Sequence, residues 1–471
     1  MHALKCSLPE LAQLVIKHAP ILLLTGGLSG GMSFGQTATG FSDDNWMSMG
    51  GITGTNNRVL ATAVDGLGSV YIGTGNYVGG GRAQTNYILK WNGNSWSALG
   101  SGMKDTYSGN AWVGALAVTG NDLYAGGYFN RAGNALAKSV AKWNGTNWVG
   151  LEFGLVSAGG DAGLVYALAI SGRKLYAGGN FTAAGYTQAT NIAEWNGSNW
   201  SALGSGLNGY VNALAVMGGD LYAGGDFTSA GGNLANYIAR WDGTNWLSLG
   251  FGLDNQVCAL AASGSNLYAG GLFDWATNKD GTTVAVGGVA KWDGTNWSAL
   301  GTGLNLDVYS LAVSASNLYS GGFFTKVGGT AANCIAKWDG LSWSALGSGV
   351  EINFIPGTLA ETWPAVNALA VSGNDLFVGG IFMKVGGKMS PHLARAYLPT
   401  LPRLSLRQSG ADVILSWPSA DTDVFVLEQV GALPGPASWV TSAALVTGDS
   451  TNKVAILPVA NDAQYFRLRR Q

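Results

Sequence analysis

A repeated block dominates this sequence and limits the folds that the chain can adopt. In its clearest copy the block reads Leu221-Tyr-Ala-Gly-Gly-Asp-Phe-Thr-Ser-Ala-Gly-Gly232, then Ile238-Ala-Arg-Trp-Asp-Gly-Thr-Asn-Trp246. Its two tryptophans recur at spacings of 46 to 52 residues. The first is Trp91, Trp143, Trp195, Trp241, Trp292 and Trp338; the second is Trp46, Trp96, Trp148, Trp200, Trp246, Trp297 and Trp343. A fixed period of this length indicates a repeat architecture, in which each copy is one supersecondary unit.

Each period contains four short pieces with the pattern of β-strands. In the clearest copy these are Val211-Asn-Ala-Leu-Ala-Val216, Asp220-Leu-Tyr-Ala-Gly-Gly225, Asn236-Tyr-Ile-Ala-Arg-Trp241 and Asn245-Trp-Leu-Ser-Leu249. They are apolar or alternating, and Gly, Asn or Asp bounds them. Asp-Gly or Asn-Gly between the third and fourth pieces predicts a tight hairpin. Four antiparallel strands in a period of roughly 40 to 50 residues are typical of one β-propeller blade.

The ends of the repeat region set the number of blades. The Leu-Tyr strand or its variant occurs seven times, at Val70, Leu123, Leu175, Leu221, Leu267, Leu318 and Leu376. The last copy lacks a fourth strand, whereas the N-terminal piece Asn45-Trp-Met-Ser-Met49 has no copy of its own. Pairing the two would leave no exposed edge. The sequence therefore predicts an all-β fold: a seven-bladed β-propeller over residues 42–399, closed by an N-terminal strand.

The composition agrees with this fold and excludes some partners. The chain has 74 glycines among 471 residues, which disfavours a helical bundle because glycine destabilises helix interiors. Only 11% of the residues are charged and the net charge is −2. Because no basic stripe is present to neutralise phosphates, nucleic acid is not an expected partner.

The two ends of the chain depart from the repeat. Residues 1–36 resemble a secretory signal peptide, with Lys17 before an apolar run and small residues before a cut at Gln36. An attached amphipathic helix over 9–18 is the alternative. We expect a secreted or cell-surface protein with no membrane span after signal removal. Residues 400–471 carry short alternating strands and predict a small C-terminal β-sandwich, which could act as a spacer or a docking module.

The repeated motifs carry a family resemblance. The run Leu221 to Gly232 followed by Ile238 to Trp246 resembles the repeats of cell-surface β-propellers of the cortical polarity-marker type. It is similar, more loosely, to kelch-like propellers of the galactose-oxidase superfamily, and the C-terminal segment resembles a fibronectin type III domain. The resemblance implies the propeller fold and an extracellular setting, and it implies little about activity because the matched residues are structural.

The residues that usually perform catalysis are scarce. The three histidines are His2, His18 and His392, so we expect no His-based metal site, no cofactor and no Ser-His-Asp catalysis. His392 is interpreted as structural. Cys258 and Cys334 each fall in a predicted strand of a different repeat, and we expect buried, free thiols, with a disulfide bond as the alternative.

Two repeated features could be read either as sites or as structure. The Asp or Asn of the Trp-Asp-Gly-x-x-Trp turns could bind Ca²⁺, but these residues also suit hairpin turns, and we favour the turn role. The thirteen repeated tryptophans could stack on sugars, but their regular placement in strands favours packing between blades.

The longest insertions are the best candidates for a binding site. Loops that join the fourth strand to the next first strand, and loops that join second to third strands, open on one face of a propeller. Irregular loops with polar and aromatic residues on a rigid scaffold are where binding usually occurs. The candidate ligand-binding residues are Asp105, Tyr107, Trp112, Trp275, Asp280, Glu351, Glu361 and Trp363.

These observations predict a non-enzymatic monomer that binds a protein or glycan partner through its insertion-bearing face. One alternative is a carbohydrate-active hydrolase or lyase that uses acidic residues on that face. Another is a purely structural repeat protein of an outer layer.

Overall fold

The computed structural model describes residues 32–34, 41–50, 58–75, 87–351, 364–398, 405–409, 411–418, 425–430, 440–448, 452–458 and 464–470. The chain divides into two compact units, Phe41–Leu398 and a second unit that joins Met1–Gly40 to Pro399–Gln471. The described residues form β-strands and one short 3₁₀ helix at Asp43–Asn45, so the all-β prediction is confirmed. In this part of the chain no helix is long and apolar enough to cross a membrane.

The larger unit repeats one four-stranded antiparallel arrangement, which we call a sheet and whose strands we name inner, second, third and outer. The first two of these sheets are joined by the single antiparallel pair Gly75–Trp112. In that order the strands are Arg58–Val64, Val70–Gly75, Ile88–Trp91 and Trp96–Ala98 in sheet 1; Trp112–Thr119, Asp122–Tyr128, Val140–Trp143 and Trp148–Gly150 in sheet 2; Leu164–Ser171, Lys174–Asn180, Ile192–Trp195 and Trp200–Ala202 in sheet 3; Val211–Met217, Asp220–Gly225, Ile238–Trp241 and Trp246–Ser248 in sheet 4; Val257–Ser263, Asn266–Gly271, Val289–Trp292 and Trp297–Ala299 in sheet 5; Val308–Ser314, Asn317–Gly322, Ile335–Trp338 and Trp343–Ala345 in sheet 6; and Ala365–Ser372, Asp375–Ile381, Leu393–Tyr397 and Trp46–Ser48 in sheet 7.

The inner strands are arranged in a ring. Each inner strand contacts the inner strand of the next sheet, and the inner strand of sheet 7 contacts that of sheet 1. The Gly-Gly pair of the second strand lets neighbouring sheets approach closely, since a Cβ on Gly178 would lie 2.4 Å from Cγ1 of Val211 in the next sheet. Sheets arranged in this cyclic order form a β-propeller, so the β-propeller prediction is confirmed.

The N-terminal strand Trp46–Ser48 is the outer strand of sheet 7. It pairs antiparallel with Leu393–Tyr397, with Trp46 opposite Ala396 and Ser48 opposite Ala394. The indole Nε1 of Trp46 also donates a hydrogen bond to the Leu346 carbonyl oxygen at 3.2 Å. The two ends of the repeat region are therefore joined by backbone pairing.

The hairpin between the third and outer strands carries the paired tryptophans. In sheet 4, Trp241 pairs with Trp246, and their ring centroids lie 5.4 Å apart. Oδ1 of Asp242 accepts hydrogen bonds from the backbone N–H groups of Thr244 at 2.8 Å and Asn245 at 2.7 Å, which lower the pKa of Asp242. The turn role predicted for this residue is confirmed.

In sheets 2–7 the outer-strand tryptophan connects its sheet to the linker that leaves the previous outer strand. The indole Nε1 of Trp246 donates a hydrogen bond to the Leu203 carbonyl oxygen at 2.9 Å. The same bond recurs in the pairs Trp148–Leu99, Trp200–Leu151, Trp297–Leu249, Trp343–Leu300 and Trp46–Leu346. The packing role predicted for the repeated tryptophans is confirmed.

Short strands in the linkers pair with the hairpins between second and third strands. In sheet 2, Met103 of the linker pairs with Ala132 of the hairpin. The linker and hairpin strands are Met103–Lys104 with Arg131–Ala132 and Ala135–Leu136; Leu155–Val156 with Ala183–Ala184 and Thr187–Gln188; Gly252–Leu253 with Trp275–Thr277 and Thr283–Ala285; and Val350–Glu351 with Lys384–Val385 and Lys388–Met389. In sheet 4 the hairpin strands are Ser229–Ala230 and Asn233–Leu234, and in sheet 6 they are Lys326–Val327 and Thr330–Ala331. A single β-bridge joins each of these two hairpins to its linker. Both loop types thus share one face, as predicted, and we call it the linker face.

The smaller unit contains two four-stranded sheets. One is ordered Met32–Phe34, Gln464–Arg470, Phe425–Val430 and Val440–Thr441; the other is ordered Ser405–Ser409, Asp412–Pro418, Asn452–Pro458 and Val446–Gly448. Its buried core includes Leu415, Trp417, Leu427 and Phe466. Met32–Phe34 pairs parallel with 464–466, although these three residues fall inside the predicted signal peptide.

Candidate functional site

Comparison of the repeats within the chain separates fixed positions from variable ones. Each inner strand has a valine near its start, and each second strand of sheets 2–7 has a Gly-Gly pair at or near its end. The residues directly before and after this valine, and the residue after Gly-Gly, differ from sheet to sheet. Before the valine they are Arg58, Trp112, Leu164, Tyr210, Gln256, Asp307 and Ala365; after it, Leu60, Gly114, Tyr166, Asn212, Cys258, Tyr309 and Asn367; after Gly-Gly, Tyr128, Asn180, Asp226, Leu272, Phe323 and Ile381.

These variable residues, which we call the mouth positions, lie where the ring of inner strands opens onto the linker face. Each inner strand begins directly after its linker, so its first residues are at that face. The residue after the valine reaches the next sheet: Nδ2 of Asn212 donates to the Val257 carbonyl oxygen at 3.3 Å. A rigid ring with variable residues at its opening is a common arrangement for ligand recognition.

Three aromatic rings from consecutive sheets form a continuous row at the mouth. Trp112 of sheet 2 stacks on Tyr166 of sheet 3, with ring centroids 5.7 Å apart and planes 10° apart. Tyr166 contacts Tyr210 of sheet 4, with centroids 6.3 Å apart and planes 47° apart. Trp112 and Tyr166 are partly exposed, and Tyr210 is 44% exposed. We call these three residues the aromatic row.

Gly114 explains why the indole of Trp112 reaches Tyr166. A Cβ on Gly114 would lie 2.6 Å from Cζ3 of Trp112, so the indole lies directly over this glycine. The indole of Trp112 therefore lies in the space that, in the other sheets, belongs to the side chain of the residue equivalent to Gly114. Any larger residue at Gly114 would displace the indole and break the row.

A carboxylate borders the sheet 4 end of the aromatic row. Asp226 follows the Gly-Gly pair of sheet 4, and its Oδ1 accepts a short hydrogen bond from the Tyr210 backbone N–H. The Asp226 side chain is exposed. Burial, together with repulsion from Tyr210 and Asp226, raises the pKa of the Tyr166 phenol.

A second group of mouth residues comes from sheets 5 and 6. The Tyr309 hydroxyl donates a hydrogen bond to Oδ2 of Asp307 at 3.0 Å. Burial, and secondarily Asp307, raises the pKa of the Cys258 thiol to about 12. Burial also raises the pKa of Cys334 to about 11. Both cysteines are free, as expected, and they remain protonated thiols at neutral pH.

Cys334 corrects one expectation from the sequence. Cys258 lies in a strand as predicted, but Cys334 precedes the strand Ile335–Trp338 and has a φ of 63°. The residue at this junction has a positive φ in every sheet, including His392 with a φ of 64°. His392 is buried, and burial lowers its pKa. The described residues contain no group of three or more His, Cys, Asp or Glu placed to hold a metal ion.

Asp105 and Tyr107, predicted from the first insertion, lie in one turn of the linker face. The Asp105 carboxylate is buried and accepts hydrogen bonds from the Ser108 backbone N–H at 2.8 Å and from Nδ2 of Asn130 at 2.9 Å. Tyr107 is 85% exposed beside it. Asp105 therefore stabilises the turn, while Tyr107 is presented to solvent.

Trp275 and Asp280, predicted from the second insertion, lie on the hairpin of sheet 5. The Trp275 backbone N–H donates to Oδ1 of Asp254 at 3.0 Å, and its side chain is 48% exposed. Asp280 accepts a hydrogen bond from the Thr282 backbone N–H at 2.9 Å, and its bonds to Thr282 lower its pKa. The Asp280 carboxylate therefore organises the hairpin turn.

The third insertion is described only at its start. Glu351 lies in the linker strand opposite Lys384, and its carbonyl oxygen accepts a hydrogen bond from the Met383 N–H at 2.9 Å. Glu361 and Trp363 lie outside the described residues. Of the predicted site residues, Trp112 is the one that joins the aromatic row. It begins the inner strand Trp112–Thr119, at the end of its insertion.

Insertion length did not identify Tyr166, Tyr210 and Asp226. These residues lie within or next to regular strands, and in the sequence of a single repeat they look like ordinary strand residues. Alignment of the repeats within the chain would have identified them, because the residue type at these positions differs between sheets while the adjacent valine or Gly-Gly pair recurs.

No protein-family model matches the chain, and no curated protein sequence matches it. Among solved structures, a catalytically inactive form of virginiamycin B lyase from Staphylococcus aureus with quinupristin is similar, with a TM-score of 0.45 and 9% identity over 75% of this chain and 98% of that chain. The WD40 beta propeller domain of Doa1 has a TM-score of 0.44 and 12% identity over 75% of this chain and 96% of that chain. The extracellular domain of the hybrid two-component system BT4673 from B. thetaiotaomicron has a TM-score of 0.22 and 10% identity over 79% of this chain and 64% of that chain.

Proposed function

We propose that this protein is a secreted or cell-surface binding protein whose larger unit is a seven-bladed, kelch-like β-propeller that recognises a glycan at its mouth. Each four-stranded sheet is one blade, and Trp46–Ser48 completes the last blade. The cyclic contacts of the inner strands and the pairing of Trp46 with Ala396 support this assignment.

The observation that carries the proposal is the aromatic row. Its three rings occupy variable positions, come from three consecutive sheets and remain partly exposed. The C–H faces of a pyranose ring pack on aromatic rings, while its hydroxyl groups need hydrogen-bonding partners at the edge. Asn212 and Asp226 supply polar groups beside the row. A protein partner remains the alternative occupant of the same face.

A binding role accounts for the acidic residues better than hydrolysis does. A glycoside hydrolase needs two carboxyl groups that flank one scissile bond. Two of the four acidic candidates, Asp105 and Asp280, form hydrogen bonds that hold their own turns, and the other two are Glu351 and Glu361. We propose that the protein is not an enzyme, and also that it acts as a monomer.

The ends of the chain are proposed to serve export and attachment. Residues 1–36 contain the signal peptide, which is cut before Gln36, and the smaller unit is a fibronectin type III-like sandwich that spaces or docks the propeller. Cleavage before Gln36 would remove Met32–Phe34, which pairs with the strand Gln464–Arg470. N-terminal sequencing of the protein released by cells tests the cut: a first residue of Gln36 supports it, and retention of residues 32–34 contradicts it.

A glycan array followed by calorimetry on the best saccharide tests the proposed function. We expect Trp112→Leu and Tyr210→Leu to weaken binding by at least tenfold, because each removes a stacking surface. Tyr186→Leu is the matched control, since it removes an exposed aromatic ring from the sheet 3 hairpin of the linker face but not from the row. Equal losses in all three variants, or no binding of any glycan, would contradict the proposal; the latter result would favour a protein partner.

A further inference from the structure

We propose that the mouth recognises a saccharide that carries a protonated amine, with the cation held between the rings of Tyr166 and Tyr210 and the carboxylate of Asp226. This inference rests on the proposed function and adds the chemical class of the ligand. It arises from one juxtaposition: an exposed carboxylate fixed against the end of an aromatic row.

The backbone fixes the position of Asp226 relative to the rings. The Asp226 N–H donates to the Tyr210 carbonyl oxygen at 3.1 Å, while its Oδ1 accepts the Tyr210 N–H. These reciprocal bonds hold the two residues side by side at the end of one sheet. Because the Asp226 side chain is exposed, its negative charge is presented to a ligand lying on the row.

The rings supply the second half of the cation site. Aromatic faces attract cations through their quadrupole, and nearby negative charge strengthens the attraction. Tyr166 is partly buried between Trp112 and Tyr210. A ligand amine at this end of the row would meet two phenol rings and one carboxylate.

The other two charged residues at mouth positions belong to sheets outside the proposed cation site. Arg58 belongs to sheet 1, beyond the Trp112 end of the row, and Asp307 belongs to sheet 6. The Asp307 carboxylate already accepts the hydroxyl hydrogen bond of Tyr309. Two aspartates and one arginine therefore leave the described mouth positions with a net negative charge. Because the Asp226 side chain is exposed, a cation is expected to bind at the sheet 4 end of the aromatic row.

The test compares two saccharides that differ only in the amine. Calorimetry of the full chain would use hexamers of β-1,4-linked glucosamine and of β-1,4-linked N-acetylglucosamine at pH 6, where the free amine is largely protonated. We expect the glucosamine hexamer to bind about tenfold more tightly, a preference within the range of cation–π and charge-assisted contacts. Increasing salt should reduce this preference.

Two variants separate the local contact from general surface charge. Asp226→Asn keeps the Oδ1 that accepts the Tyr210 N–H and removes only the charge, so it should bind both hexamers with similar affinity. Asp161→Asn removes an exposed charge from the linker ahead of sheet 3 and should retain the preference.

Equal binding of the two hexamers by the unaltered protein would overturn the cation inference and leave glycan recognition standing. Retention of the preference in Asp226→Asn would also overturn it. A saccharide bound tightly from the array but insensitive to both Trp112→Leu and Tyr210→Leu would instead overturn the proposed function itself.

Discussion

The hydrogen bond from the outer-strand tryptophan of sheets 2–7 to the preceding linker should be measurable as stability. Trp246 is 3% exposed, and its Nε1 donates to the Leu203 carbonyl oxygen at 2.9 Å. Trp246→Phe keeps an aromatic ring in the core and removes this bond, while the Leu203 carbonyl oxygen still accepts the Gly206 N–H at 3.2 Å. One hydrogen bond contributes about 0.5–1.5 kcal/mol, and the smaller ring adds a packing loss of about 1 kcal/mol. We therefore expect Trp246→Phe to lower the free energy of unfolding by about 1.5–2.5 kcal/mol.

Trp96 provides a matched control for this substitution. It occupies the corresponding position in sheet 1, but its Nε1 is buried without a hydrogen-bond partner among the described residues. Trp96→Phe should therefore cost only the packing loss, about 1 kcal/mol or less, because the unpaired N–H disappears with the indole. The difference between the two variants isolates the hydrogen bond to the linker.

Equilibrium unfolding in urea measures both variants in the full chain. Tryptophan fluorescence and far-ultraviolet circular dichroism should be followed together, because two compact units need not unfold in one transition. The expected result is a clearly lower midpoint for Trp246→Phe than for Trp96→Phe, at similar slopes. Equal midpoints for the two variants would refute the inter-sheet role of the indole N–H.

Further predictions concern turns, thiols and a buried histidine. Asp242→Ala should lower the unfolding midpoint in the same urea titration, whereas Asp242→Asn, which keeps the acceptor oxygen, should leave it nearly unchanged. Cys258 and Cys334, with pKa values of about 12 and 11, should react with a thiol reagent at pH 8 only after denaturant is added; rapid labelling of the folded protein would contradict this. Because burial lowers the pKa of His392 in the folded state, its stabilising contribution is present above its unfolded pKa, near 6.5, and is lost as the pH falls below that value. His392→Asn, which suits a φ of 64°, should therefore reduce the loss of stability between pH 7 and pH 5, measured by thermal unfolding.

The repeat architecture could be predicted because its signals are local. The Asp-Gly hairpin ahead of Trp246 and the alternating strand around Leu214 each specify their structure within a few residues. The pairing of Trp46–Ser48 with sheet 7 was predicted because one copy lacked a strand and another strand lacked a copy.

The turn roles of two predicted ligand-binding residues were also visible in the sequence. Asp105 is followed three residues later by Ser108, and Asp280 two residues later by Thr282, spacings at which an aspartate accepts hydrogen bonds from its own turn. Both aspartates were predicted to bind a ligand because they are acidic and lie in loops, although the hydrogen-bonding residues of their own turns were already present in the sequence.

The aromatic row could not be predicted from local patterns. Trp112, Tyr166 and Tyr210 are separated by 54 and 44 residues, and only the radial arrangement of the sheets brings them into contact. The side chains' directions also depend on a register shift directly after the valine of each inner strand. In the same way, the parallel pairing of Met32–Phe34 with residues 464–466 joins opposite ends of the chain and leaves no local signal.

We propose that the aromatic row holds a saccharide at the mouth of the propeller, and a crystal structure of the full chain with the best saccharide from the array would locate the ligand. We expect a sugar ring in van der Waals contact with Tyr166 or Tyr210, with its polar groups directed toward Asp226. A saccharide bound instead on the hairpin that carries Trp275, with the aromatic row left uncovered, would refute the proposal.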